Sequence, residues 1–181
     1  MAEDLKSLSL HFLAVPKKVG GSLMRVYRDV RFGKDKRPFK TNIGIQFRHF
    51  QGKDVHAPGF YVHLEPNECF LGVGIWHPDA PALGSIRTAI AENGTAWVKA
   101  SRDKKFSKTY ELAGDSLVNA PRGYAKDHPL LEDLKRKDFI AIAEFSRTLA
   151  TSARFQPEVV KSFRSAVPLM KFLCKALDLP F

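Results

Sequence analysis

The chain has 181 residues, 44% of them hydrophobic and 27% charged, with a formal net charge of +10. That length suits one domain, residues 1–181, with a core large enough to need no covalent staples, and the excess of cations favours anionic partners. Its two cysteines lie outside any C-x-x-C pair, which excludes a disulfide framework and a cysteine zinc site, and no apolar run approaches the roughly 20 residues of a membrane span.

The opening "MAEDLKSLSLHFLAV" puts acids before its apolar part and lacks a basic leader with a cleavage site, so a cytoplasmic protein is expected. Residues 4–14 are predicted helical. In residues 24–32, "MRVYRDVRF", Met24, Val26, Arg28, Val30 and Phe32 share one face of a predicted strand, with Arg25, Tyr27, Asp29 and Arg31 on the other. The apolar face is expected to meet the core. Arg28 would then be a buried guanidinium needing a carboxylate, several carbonyls or a bound anion. The following turn, "GKDKRPFKT", sets Lys34, Lys36, Arg37, Lys40 and Thr41 around a bend made by Gly33 and Pro38. Cations and a hydroxyl around a bend suit phosphate or carboxylate; an exposed charged turn is the plainer alternative. The P-loop pattern G-x-x-x-x-G-K-[ST] is absent.

"NIGIQFRHF", "FYVHLEP" and "ECFLGVGIW" read as strands, with "GKDVHAPG" as a loop and Pro66-Asn67 as a tight connection. Such links are too short for crossover helices, so the pairing is expected to be antiparallel. In "FLGVGIW" the residues Phe70, Gly72, Gly74 and Trp76 share a face. Two glycines between aromatics leave a bare slot, approached by a helix in the common case or by a flat ligand in the rarer one. A two-residue turn at Pro66-Asn67 would put Tyr61 and His63 on the same face.

Asp79 is a predicted cap for a helix carrying Leu83, Ile86 and Ile90 and stopping near Gly94. Thr95 is expected to cap another around Trp97. Residues 107–129 read as loops, including "PRGYAKDHP" with Arg122, Tyr124, Asp127 and His128. Asp127 is expected to start a short helix ending at Lys135, Arg136 and Lys137. "DFIAIAEF" has the length of a buried strand. The tail reads as two helices, with Pro157 near the start of one and Pro168 forcing the division. Strands first and helices after define an α+β fold.

None of the six histidines makes H-x-H, H-x-x-x-H or H-E-x-x-H, so neither a metal site nor a cofactor is expected. G-x-S-x-G and G-x-G-x-x-G are also absent. His63 and Glu65, two apart on one strand face, are an acid–base pair or simply polar neighbours.

Four stretches, "RVYRDVRFGKDKRPFKTNIG", "HAPGFYVHLEP", "GVGIWHPDAPALGSIRTAI" and "PRGYAKDHPLLEDLKRKDF", resemble a family of conserved hypothetical proteins, the domain of unknown function 2461. Its hallmark is similar to R-x-Y-R-D-x-R-F-S-K-D-K-x-P-Y-K-T, matched here at Arg25, Tyr27, Arg28, Asp29, Arg31, Phe32, Lys34, Asp35, Lys36, Pro38, Lys40 and Thr41. Gly33 stands for the usual Ser and Phe39 for the usual Tyr. The resemblance runs from about Lys18 to the C-terminus. The family's N-terminal block, similar to N-N-x-R-x-W-F, has no counterpart, so the chain reads as a shortened member. The resemblance implies no activity.

The expectation is a curved antiparallel sheet covered by helices. The expected function is binding of a small anionic ligand through Arg25, Arg28, Lys36 and Lys40, with His63 and Tyr61 as candidates for polar or acid–base roles; whether it is an enzyme stays open. A nucleic-acid-binding module and a structural or partner-binding protein are the alternatives, and a basic stripe with exposed aromatics would mark the former.

Overall fold

In a computed structural model of the chain, which describes residues 1–28, 31, 36–52 and 57–181, the first helix, α1 (Ala2–Leu8), is shorter than its sequence predicts. Ser9 is already extended, at φ −163°, and its N–H closes the helix on the Leu5 carbonyl. The next residues form β1 (Phe12–Leu13). Residues 15–22 then loop out and close on themselves, since the Ser22 N–H donates to the Val15 carbonyl at 2.9 Å. The chain returns to the same sheet edge, where the Met24 N–H donates to the Gly44 carbonyl at 2.9 Å.

The expected strand over residues 24–32 does not form as one element. Bridges at Leu23↔Ile45 and Tyr27↔Phe39 are isolated, and the chain bends at Val26 between them. Beyond the bend it folds into a small hairpin: the Arg28 N–H donates to the Pro38 carbonyl and the Lys40 N–H to the Val26 carbonyl. Met24 and Val26 are 38% and 45% exposed, and Arg28 is half-buried. The described part of the alternating face, Met24, Val26 and Arg28, therefore does not meet the core, because it lies at the rim of the sheet. Asp29, Val30 and Phe32 of that expected strand, and Gly33, Lys34 and Asp35 of the turn, lie outside the described residues. So do residues 53–56 of the expected loop, His56 among them.

The sheet is built from β1, β2 (Ile43–His49), β3 (Gly59–Leu64), β4 (Cys69–Ile75), β5 (Glu111–Ala113) and β6 (Phe139–Glu144), in the spatial order β1-β2-β3-β4-β6-β5. Every pairing is antiparallel. Alternation sends Phe60 and Val62 of β3, Leu71 and Val73 of β4, and Phe139 and Ala141 of β6 to one side, where all six are buried. The opposite side carries Gly59, Tyr61, His63, Phe70, Gly72, Ile140 and Ile142.

The helices cover the first side. They are α2 (Ala80–Glu92), α3 (Gly94–Arg102), α4 (Lys104–Ser107), α5 (Leu131–Leu134), α6 (Arg147–Ala150), α7 (Phe155–Ser165) and α8 (Val167–Ala176). The Asp79 carboxylate accepts from the Ala82 N–H and starts α2 as predicted, with Ile86 and Ile90 buried below it. Helix α3 starts at Asn93 and not at Thr95. The helix expected from Asp127 begins later, with Leu130 as N-cap of α5. β5 lies inside the stretch expected to be loop. Pro168 sits in the first turn of α8, so the tail divides into two helices as expected. Phe163 of α7 meets Phe60 at 4.8 Å between ring centroids, and Trp97 of α3 meets Phe139 edge-on at 5.8 Å. Burying such rings contributes roughly 1.5–3 kcal/mol each, which is what holds helices and sheet together.

Among the described residues no helix is long and apolar enough to cross a membrane.

Candidate functional site

The side of the sheet away from the helices carries a groove of about 360 Å³. Its floor follows from register. Glu65 and Glu68 exchange backbone hydrogen bonds around Pro66-Asn67, the two-residue turn the sequence allowed. That turn pairs Tyr61 with Gly72 and His63 with Phe70. On the other edge of β4, Gly72 pairs with Ile142 and Gly74 with Ile140. A Cβ on Gly72 would meet only Tyr61, at 3.5 and 3.6 Å. The slot in "FLGVGIW" is thus real, and the described helices pack on the other face. Gly74 is different: its φ is +112° and a Cβ there would lie 2.1 Å from the Phe139 carbonyl oxygen, so backbone geometry requires glycine. Met24 closes one wall. It and Tyr61 both lie over Gly44, where a Cβ would come within 2.8 Å of the Tyr61 hydroxyl and 2.9 Å of the Met24 sulfur. Trp76, 55% exposed, stands at the far end.

One end of the groove is polar. Tyr61, His63 and Glu65 occur at every second residue on β3 and its extension, so they share the groove side. The Tyr61 hydroxyl is 3.0 Å from His63 Nδ1, and His63 Nε2 is 3.4 Å from Glu65 Oε2. Asn42 Nδ2 approaches the same Nδ1 at 3.5 Å. The imidazole lies flat on Phe70, with centroids 4.6 Å apart and planes 9° apart. Burial raises the Tyr61 hydroxyl above its ordinary pKa, against a smaller lowering from Asn42. Hydrogen bonds from Thr41 first, and then from His63, hold the Glu65 carboxyl below its ordinary value. His63, Glu65 and Glu68 bring potential ligand atoms within 4.8 Å of one another, a set without a histidine–histidine spacing because it holds one histidine and two carboxylates.

Of the candidates read from the sequence, Tyr61 and His63 line the groove. Arg25 and Lys36 are exposed, while Arg28 and Lys40 are half-buried. These four belong to the rim segment that runs from Met24 through the hairpin to Thr41, and Thr41 and Asn42 tie that segment's root to Glu65 and His63. Met24, Ile140 and Ile142 escaped the sequence reading. The two isoleucines are outward positions of the strand read in "DFIAIAEF" from its apolar length alone, and the alternation "FIAIAE" is the signal that places them. A second depression, about 420 Å³ and more open, lies where α2, α3 and α8 meet; the convergence of three polar side chains places the candidate site in the first.

An antiparallel α+β protein with helices on one face and a glycine-floored groove on the other is the class that fold and site define. The chain belongs to the family described as conserved hypothetical protein (DUF2461), whose family model matches residues 1–172. That match takes in the residues ahead of Lys18 and stops before the C-terminal end. No curated protein and no solved structure matches the chain significantly.

Proposed function

We propose that residues 1–181 act as one cytoplasmic domain that binds a small anionic ligand, its flat apolar body over Gly72 and its charged end toward Tyr61, His63 and the root of the basic hairpin. The observation that carries this is the bare floor at Gly72, walled by apolar side chains and ending in a polar cluster; small-molecule sites combine an apolar cleft with a few convergent polar groups in this way. Residues 24–41 carry seven Lys or Arg against two Asp, which attracts the anion without requiring each cation to touch it. The test uses 2-naphthoate and neutral naphthalene as probes in thermal melts. Naphthoate at 100 times its Kd should stabilise the protein by about 2.7 kcal/mol. Gly72→Val should abolish the effect, and Lys36→Ala with Lys40→Ala should weaken naphthoate more than naphthalene. Equal stabilisation of the wild type and Gly72→Val would remove the proposal.

One observation favours a second reading, a single-stranded nucleic-acid surface. Tyr27 and Phe39 are both exposed, and their rings pair at 5.3 Å within the basic hairpin. Base stacking on such rings is worth about 1–3 kcal/mol per base. A labelled oligonucleotide should then bind with an affinity that falls steeply with salt and drops further in the double variant Tyr27→Ala, Phe39→Ala. Anisotropy unaffected by that double change would exclude it.

A further inference from the structure

We infer that Tyr61, His63 and Glu65 form a proton relay that makes the polar end of the groove a general-base site for a ligand with an acidic hydroxyl, a phenol or an enol. The inference rests on the groove reading above and deepens it by naming the ligand's chemistry.

The donors and acceptors fix the direction of the relay. A neutral imidazole carries one N–H. The Asn42 amide nitrogen, 3.5 Å from Nδ1, can only donate. Nδ1 is therefore the acceptor; the Tyr61 hydroxyl, at 3.0 Å, is its main donor, and the Asn42 amide shares the single lone pair at longer range. The ring N–H then lies on Nε2 and points at Glu65 Oε2, 3.4 Å away, an acceptor. This tautomer is assigned from the hydrogen-bond network. Phenol, neutral imidazole and carboxylate together leave no donor facing a donor. Stacking on Phe70 holds the ring in the line between its two partners. Glu65 is oriented in turn by Thr41. The arrangement has the parts of an activated hydroxyl: an oxygen at the cavity, a base beside it and a third group that orients the base.

The step balances without any redox partner. The ligand hydroxyl O–H breaks and its proton bonds to Tyr61 Oη, while the original Tyr61 O–H breaks and that proton bonds to His63 Nδ1. The electron pair stays on the ligand oxygen. The resulting imidazolium faces Glu65, and the ligand anion lies at the end where the basic hairpin is rooted. Return of the proton to the ligand restores the resting state. Among the described residues the titratable groups facing His63 are Tyr61 and Glu65 on its own strand and extension and Glu68 across the turn. Arg25 and Lys40 belong to the neighbouring rim segment.

The probe is 4-nitrophenol, a flat phenol that ionises near neutrality and whose anion absorbs in the visible. Bound at saturation to the wild type, it should ionise as an acid at least about tenfold stronger than in buffer, a change of about one pKa unit. In His63→Gln, also at saturation, the shift should vanish; in Glu65→Gln it should shrink. Calorimetry in two buffers of different ionisation enthalpy should show that the wild type keeps the proton instead of releasing it. A shift that survives His63→Gln, or a proton released to buffer, means that the cations alone ionise the ligand and overturns the relay. So does a shift that appears only after Zn²⁺ is added, which would make His63, Glu65 and Glu68 a cation site. Binding that Gly72→Val removes but that brings no ionisation shift in the wild type overturns the relay alone. Absence of saturable binding, or binding unchanged by Gly72→Val, overturns the groove and the relay together.

Discussion

Glycines 72 and 74 are two residues apart on β4 and should respond in opposite ways to the same added methyl. At Gly72 the new Cβ would sit 3.5 Å from Tyr61 Cβ and 3.6 Å from Cδ1, which is ordinary van der Waals contact. Nothing in the native state opposes the change, while the unfolded chain loses freedom. Gly72→Ala should therefore stabilise the protein by roughly 0.5–1 kcal/mol. At Gly74 the Cβ would meet the Phe139 oxygen at 2.1 Å with φ at +112°. That is a backbone collision in a conformation L-residues avoid, and Gly74→Ala should cost at least about 2–3 kcal/mol. Urea melts of the two variants, compared at constant m-value, measure both numbers. A loss above about 1 kcal/mol for Gly72→Ala would mean that this floor is closed by packing, which ordinary core overpacking predicts; a neutral Gly74→Ala would place β6 wrongly. The pair thus separates a glycine that the backbone requires, Gly74, from one that the local packing does not, Gly72.

Three other outcomes follow from single residues. Desolvation first, then the nearby His11 charge, lower the pKa of His49 despite its hydrogen bond to the Pro180 carbonyl. Its contribution to stability is thus full above the unfolded value of 6.5 and is lost as pH falls from there through the lowered folded-state pKa; melts from pH 7.5 to 5 should show this decline, and His49→Gln should flatten it. Trp97 is fully buried and its Nε1 lacks a partner among the described residues, so Trp97→Phe should cost under about 1.5 kcal/mol while Trp97→Ala costs about 3–5 kcal/mol by denaturant titration. The Asp138 carboxylate accepts from the His77 N–H at 2.8 Å and the Asp115 N–H at 2.9 Å. Asp138→Ala strands both donors and should cost about 2–5 kcal/mol in the same assay; a smaller loss would show that water replaces the carboxylate.

Alternation made the strands legible but not the side on which the core lies. "FLGVGIW" and "FYVHLEP" showed which residues share a face, and the turn at Pro66-Asn67 set their register, so Tyr61, His63 and Gly72 came together on paper. Whether a helix or open space covered that face depends on where α7 and α8 return, which is a long-range matter. In residues 24–32 the same pattern misled. Met24, Val26 and Arg28 alternate, but a bend at Val26 between two isolated bridges, Leu23↔Ile45 and Tyr27↔Phe39, leaves them at the rim. β1 and β5 were missed because strands of two and three residues have no period to detect; their partners, not their own composition, make them strands. Met24 and Ile142 reach the groove only through register across the sheet.

The same brevity bears on how the molecule behaves in a crowded solution. An open sheet ends in two rows of unpaired backbone donors and acceptors, and a long flat row is a template for another chain. Here one boundary is the two residues of β1, interrupted at once by the loop of residues 15–22, and the other is the three residues of β5. Val19 stands 86% exposed on that loop, and Arg25, Arg28 and Lys40 lie along the same margin. A second copy approaching edge to edge would find a ladder too short to extend, a protruding loop and a like charge. The margins of the sheet therefore resist fibre-like self-association.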